Sequence, residues 1–382
     1  MNERALRRAL RNLNVPGEHE ARERAWPIVR AAFEAREPRP EHHRYTKPVL
    51  AIALAVALLA GALSSPGRAV FGNLRDHVVG EKQAAPALFS LPTGGRLLVD
   101  SSAGPWVVQR DGSKRLLGRY EGATWSPHGK YLAVWRGHEL SAVTPHGDPR
   151  WSLERRGRVR DARWSNEGYR VAYLAGPTLR VTIGNGTGDH LFDSAVASVA
   201  PAWLPRVTAH VLAYVRADGR IRLVDVDSRD TLWLADSGIP VRQLAWSWDG
   251  QRLLVLGPAG LRVLSGRGHL VGSLSLPGAA AVVPSPRSSA FAIVQRAANG
   301  TSRVVLGDSA DPAAPLRRLF ARPGAFSGIS WSPDGRWLLL AWPTADQWLF
   351  LRSTRARKPP AVANVSREFH STSFPRLVGW CC

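Results

Sequence analysis

Trp331-Ser332-Pro333-Asp334-Gly335 runs through Arg336 into the apolar stretch Trp337 to Trp342. An aromatic residue, a polar turn and a strand follow one another. Pro333 sets φ near −65°. Gly335 tolerates a positive φ, and Asp334 can hold the backbone of the turn. The stretch after it is short, apolar and bounded by turn residues, which predicts a strand buried on both faces. Near copies are Trp125-Ser126-Pro127-His128-Gly129, Trp164-Ser165-Asn166-Glu167-Gly168 and Trp246-Ser247-Trp248-Asp249-Gly250, each followed by an apolar run. Trp203-Leu204-Pro205 and Pro284-Ser285-Pro286 are worn copies, the second with proline in the tryptophan slot. Leu377 to Trp380 is a truncated one.

The slots stand at 125, 164, 203, 246, 284, 331 and 380, so the spacing runs from 38 to 49 residues. A period of about 40 with several short strands in each period is the signature of an all-β β-propeller. One period reads directly as four strands: Gln243–Trp246, Leu253–Leu256, Leu261–Leu264 and Leu270–Leu274. Trp125, Trp164, Trp203, Trp246, Trp331 and Trp380 are therefore structural repeat residues, as are the turn pairs Asp249-Gly250 and Asp334-Gly335.

These motifs resemble the repeats of TolB-type propellers, which are often described as WD-like, over roughly residues 86–382. The resemblance implies a propeller fold and leaves the chemistry open, because propellers host many unrelated functions. Six periods are complete. Arg96–Val99, Trp106–Gln109 and Arg115–Leu117 look like a blade without its first strand, and Leu377–Trp380 like a first strand without its blade. Joining them closes a ring of seven and leaves few exposed edges. Six blades is the alternative if one worn repeat is not a blade.

Ahead of the propeller, expected over residues 89–382, three further segments can be read. Residues 1–47 carry two short amphipathic helices, with Leu6, Leu10 and Leu13 on one face of the first and Ala25, Ile28, Val29, Ala32 and Phe33 on the second. Either they form a solvated arm or they bind a cytoplasmic protein partner. Val49 to Leu63 carries no charge. With its flanks it makes a transmembrane helix over 48–66, near the roughly 20 residues that span a bilayer. A cleaved signal peptide is the rival reading, but its charged leader would be unusually long. Arg36, Arg39, Arg44 and Lys47 precede the span closely, while Arg68, Arg75 and Lys82 follow at greater distance. The positive-inside rule then puts the N-terminus in the cytoplasm and the propeller outside. Residues 67–88 read as a stalk.

The net charge is +21 and the isoelectric point about 11.3. Lys47, Lys82, Lys114, Lys130 and Lys358 are the only lysines. The excess of arginine, spread over many blades, reads as the bias of a GC-rich bacterial genome. Nucleic acid is set aside as a partner. The functional reading is an anionic-partner patch, and its densest candidate is Arg155, Arg156, Arg158, Arg160 and Arg163. Arg352, Arg355, Arg357 and Lys358 form a second group.

Catalytic chemistry finds no foothold in the sequence. No G-x-S-x-G occurs, and Gly328-Ile329-Ser330-Trp331-Ser332 belongs to the repeat. Gly184-Asn185-Gly186-Thr187-Gly188-Asp189 lacks the lysine of a phosphate loop and reads as a hairpin turn. His42, His43, His138, His146, His190, His210, His269 and His370 show no ligand spacing. Asp225, Asp227 and Asp230 read as a polar turn rather than a calcium loop. Cys381 and Cys382 stand alone, as a vicinal disulfide or as free thiols on the closing strand. No catalytic residue, metal ligand or cofactor is assigned.

The function expected is thus a membrane-anchored, single-pass, extracytoplasmic binding scaffold for a protein, peptide or cell-envelope polymer. The alternative is a transmembrane regulator with the propeller as sensor, because the layout is similar to single-pass anti-sigma factors. An enzyme working in the propeller channel is a third class.

Overall fold

The repeated turn closes through its own side chains. Ser332 Oγ donates to Asp334 Oδ1 at 2.5 Å and accepts the Trp337 N–H at 2.9 Å. Asp334 Oδ1 also accepts the Arg336 N–H at 3.0 Å. Gly335 sits at φ 70°, where a Cβ would be strained. Ser247, Asp249 and Gly250 repeat the arrangement, with Gly250 at φ 68°. Burial works against the Asp334 charge, but the hydrogen bonds from Ser332 and the Arg336 N–H hold the carboxyl below its ordinary range. The motif is therefore a device for reversing the chain at low cost, and it sets a second strand antiparallel to the first.

The computed structural model describes residues 89–205, 210–354 and 359–382. The segments read over 1–47, 48–66 and 67–88 lie outside the described residues. The described chain forms seven four-stranded antiparallel sheets. Blades 2 to 7 each run in chain order. Their first strands are Gly122–Trp125, Val159–Trp164, Ala202–Trp203, Gln243–Trp246, Ala279–Pro284 and Gly328–Trp331. Blade 1 joins the last strand, Arg376–Cys381, to Arg96–Ser101, Gly104–Val108 and Lys114–Leu116. Leu97 faces Trp380 and Leu98 faces Gly379, with a bulge after Leu98. Both worn repeats are complete blades, which removes the six-bladed alternative.

Each first strand touches the first strand of the next blade, all the way round. These strands surround the axis. The core is not central. It is divided into seven apolar clusters, each wedged between two neighbouring blades. Between blades 6 and 7, for example, Ala292, Val294, Val304 and Leu306 pack on Ile329, Trp331, Leu338 and Leu340. The central residues of Trp337–Trp342 are fully covered, as their apolar run requires. Cys381 and Cys382 are joined to each other as a vicinal disulfide beside the first turn of blade 2.

The repeat tryptophans also tie blades together. The indole N–H of Trp203 donates to Arg163 O at 2.9 Å, that of Trp246 to Ala202 O at 3.2 Å, and that of Trp331 to Val283 O at 3.0 Å. In each case the acceptor is the residue just before the tryptophan slot of the preceding blade. Trp380 donates instead to Gly94 O at 3.1 Å. Trp125 and Trp164 break the pattern: their indole N–H groups are buried and have no partner.

Candidate functional site

Those two tryptophans border a cleft of about 330 Å³ on the side of the repeat turns. Trp203, Pro127, Pro205, Asn166 and Arg163 are also in its wall. The cleft sits where the first strands of blades 2, 3 and 4 end. Arg163 reaches it because the blade 3 strand is bulged between Arg160 and Arg163, with Asp161 at φ 54°. Its guanidinium donates to Ala162 O at 2.8 Å. Burial pulls it below the ordinary arginine value, against the attraction of Asp161. Asp100 and Arg376 of blade 1 also act on it.

Asp100 is the buried carboxylate of that group. It pairs with Arg376, and its Oδ1 has no partner. Burial pushes its carboxyl up to about 6, against the pull of the Arg376 charge. In the unfolded chain the value returns to about 4. Between those two values the folded chain holds a proton that the unfolded chain has released. The stabilisation this gives is complete below about pH 4 and lost as the pH rises through 6. It amounts to roughly 3 kcal/mol for two pH units. Asp100→Asn cannot titrate. From pH 4 to pH 7, its stability relative to the parent is expected to shift in its favour by about that amount in urea unfolding. An unchanged difference would remove Asp100 as the titrating group.

A second depression adjoins the first through Trp164. It measures about 490 Å³ and lies between blades 2 and 3, lined by Tyr131, Trp151, Tyr169, Ile183 and Arg150. Tyr169 is 65% exposed and Tyr131 40%. Trp151 is fixed by its indole N–H, which donates to Gly184 O at 2.9 Å. The two depressions share Trp164, so aromatic residues from Tyr131 and Tyr169 to Trp203 line one face of blades 2 to 4.

The five arginines read as one basic group are placed apart. Arg155 turns inward, pairs with Asp189 at 2.7 Å and donates to the Tyr173 hydroxyl at 2.7 Å. Arg158 pairs with Glu121 at 3.0 Å on the surface. Arg156 is exposed. Arg160 lies 3.7 Å from Asp161, and its Nε is buried without a partner. Arg163 belongs to the cleft. Of the second group, Arg352 stacks on Trp337 at 4.8 Å. Arg355, Arg357 and Lys358 lie outside the described residues.

Some polar clusters escaped the sequence reading. Tyr173 donates to Asp189, which also takes Arg180 at 2.5 Å. Burial and the Asp189 carboxylate push the Tyr173 hydroxyl up to about 12. Tyr214, Asp193 and Arg222 repeat this set one blade later. The signal was a tyrosine on the second strand in register with an arginine on the third, Tyr173 opposite Arg180 and Tyr214 opposite Arg222. His210 lies between the carboxylates of Glu167 and Asp227, with Arg170 3.0 Å from the latter. Asp225 accepts the N–H groups of Asp227 and Ser228, as a turn residue does. Among the described residues no group of three or more His, Cys, Asp or Glu is placed to hold a metal ion.

No protein-family profile and no curated protein sequence matches this chain. Solved structures do match in fold. The mitotic checkpoint complex contains a chain of 15% identity with a TM-score of 0.50, over 71% of this chain and 93% of that one. The β-propeller domain of Swd1 from Myceliophteria thermophila gives 12% and 0.51, over 64% and 86%. KlHsv2, with a loop replaced by a Gly-Ser linker, gives 14% and 0.51, over 68% and 89%. At these identities the likeness is one of fold alone, and it agrees with the seven blades.

Proposed function

We propose that this chain is a membrane-anchored extracytoplasmic propeller that serves as a binding scaffold. It holds an extended peptide segment of a partner protein on its turn face and performs no catalysis. The observation that carries this reading is the aromatic path from Tyr131 and Tyr169 to Trp164 and the cleft. Tyrosine, tryptophan and arginine are the residue types that dominate binding energy at protein interfaces. A fixed groove in a rigid ring loses little freedom on binding. The anchor rests on the charge-free run Val49–Leu63, and the orientation on the basic residues ahead of it. Among the described residues no helix is long and apolar enough to cross a membrane.

The test uses the full chain in its membrane. Partners are captured by cross-linking, identified and divided into synthetic peptides. One peptide is expected to compete with the whole partner. Tyr131→Ala with Tyr169→Ala is expected to weaken that peptide roughly ten-fold or more, the range of interface hot spots, with folding unchanged. A reporter fused after Cys382 is expected to read as extracytoplasmic, and one before Val49 as cytoplasmic. Capture of envelope polymer alone, lost as salt is added, would replace the peptide reading with an electrostatic one. A cytoplasmic signal from the C-terminal fusion would end the extracytoplasmic reading.

A further inference from the structure

We infer that the cleft bounded by Trp125, Arg163, Trp164 and Trp203 is a carboxylate-binding site, which takes an acidic group of the peptide held on the turn face. The inference rests on the scaffold reading for its biological ligand but not for its chemistry.

Hydrogen-bond donors in this cleft lack acceptors. The repeat tryptophans of blades 4, 5 and 7 all donate to the preceding blade. Trp125 and Trp164, on the same scaffold, leave their indole N–H groups buried and unpartnered. A buried donor without an acceptor costs about 1–3 kcal/mol. Each buried unsatisfied group in a native protein calls for an explanation; Trp342 and Trp348 also carry one, but neither lines this cleft. Both residues line the cleft, and Arg163 lines it with them.

Arg163 supplies the charge. A guanidinium has five N–H donors. Among the described residues its one hydrogen bond as donor from the side chain is to Ala162 O, and no carboxylate stands within ion-pair distance. Of the acids that act on it through their charge, Asp161 stands 3.7 Å from Arg160 and Asp100 pairs with Arg376. A planar carboxylate matches this set. It accepts two parallel bonds from one guanidinium and keeps lone pairs free for an indole N–H. At about 330 Å³ the cleft stands at the small end of ligand sites, the size for one acidic side chain or one chain end rather than a whole ligand. Its walls include three tryptophan rings and three prolines, which lower the local dielectric and strengthen a charge-assisted bond.

The full chain is labelled with ¹⁵N at its tryptophan indoles and reconstituted in detergent micelles. The probes are N-acetylaspartate amide, which has only a side-chain carboxylate, N-acetylalanine, which has only a chain-end one, and inorganic phosphate. The Trp125 and Trp164 signals are assigned with Trp125→Phe and Trp164→Phe. Either carboxylate probe is expected to shift both signals saturably, and the stronger of the two identifies the source. Arg163→Gln is expected to weaken that probe about ten-fold or more, as loss of a charged hydrogen-bond donor does. Arg163→Lys, which keeps the charge but not the fork, is expected to restore only part of the affinity. If Arg163→Gln unfolds the chain, the lysine variant carries the test alone, and undiminished affinity in it overturns the forked geometry. No saturable shift with either carboxylate, or a shift with phosphate only, overturns the proposal. The partner peptide is measured separately. Its capture without any carboxylate shift leaves the scaffold standing and removes this site, and carboxylate shifts without peptide capture do the reverse.

Discussion

Removal of residues 376–382 is expected to collapse the ring. Blade 1 would lose its first strand, and Arg96–Ser101 would present an unpaired edge. The loss is not confined to backbone bonds. Trp380 is buried, packs edge-on against Phe350 at 5.9 Å and donates to Gly94 O. Its own N–H is bonded to Ser330 Oγ at 3.0 Å, so it also fastens blade 7. Leu377 belongs to the cluster between blades 7 and 1. One buried tryptophan or leucine alone is worth about 2–5 kcal/mol. The deletion is therefore expected to cost on the order of 5 kcal/mol or more, comparable with the whole stability of a domain. The exposed edge then favours association between copies. Thermal melting with light scattering reads both effects. An unchanged melting temperature and a monodisperse protein would show that the seam carries no weight.

Trp348→Ala should give the largest loss of any single side chain. Trp348 has no exposed surface. It packs edge-on against Phe89 at 6.0 Å and at a tilt against Phe369 at 5.2 Å. These partners come from the two ends of the propeller, so the ring fills the wedge where the chain closes. Truncation is expected to cost about 3–5 kcal/mol, with the aromatic contacts included in that figure. Trp348→Phe provides the control. The indole N–H of Trp348 is buried without an acceptor. Phenylalanine removes that donor, which offsets part of the lost volume by about 1–3 kcal/mol. Denaturant unfolding should therefore rank parent, phenylalanine and alanine, with the phenylalanine variant much nearer the parent. Equal losses in both variants would contradict this account.

The fold was legible because a propeller writes each blade locally. A tryptophan, a turn of four residues and an apolar run suffice to place the first two strands, and Ser332 and Asp334 satisfy one another within that turn. Ring closure was legible because Leu377–Trp380 and Arg96–Val99 are complementary fragments of one repeat. The cleft was not. Whether the Trp164 indole finds an acceptor depends on a carbonyl in another blade, about one period away in sequence. The basic run from Arg155 to Arg163 looked like one patch because its residues are close in the chain. A strand end, a bulge at Asp161 and an ion pair with Asp189 send its members to the interior, the surface and the cleft. The sets around Tyr173 and Tyr214 were hidden for a similar reason, since the acid that joins tyrosine and arginine comes from the turn before the fourth strand of blade 3 in one set, Asp189, and from the end of that strand, Asp193, in the other.

The mixed composition of blade 1 has a consequence for how the molecule is made. Arg96 precedes Arg376 by 280 residues, yet the two belong to one sheet. A ribosome adds about 5–20 residues each second. For tens of seconds the nascent chain carries three strands of a blade whose fourth does not yet exist. Blades 2 to 7 can each assemble as they emerge, but the ring stays open until the last strand is delivered. During synthesis the edge of Arg96–Ser101 is the place where a chaperone, or a neighbouring nascent chain, would find a docking strand.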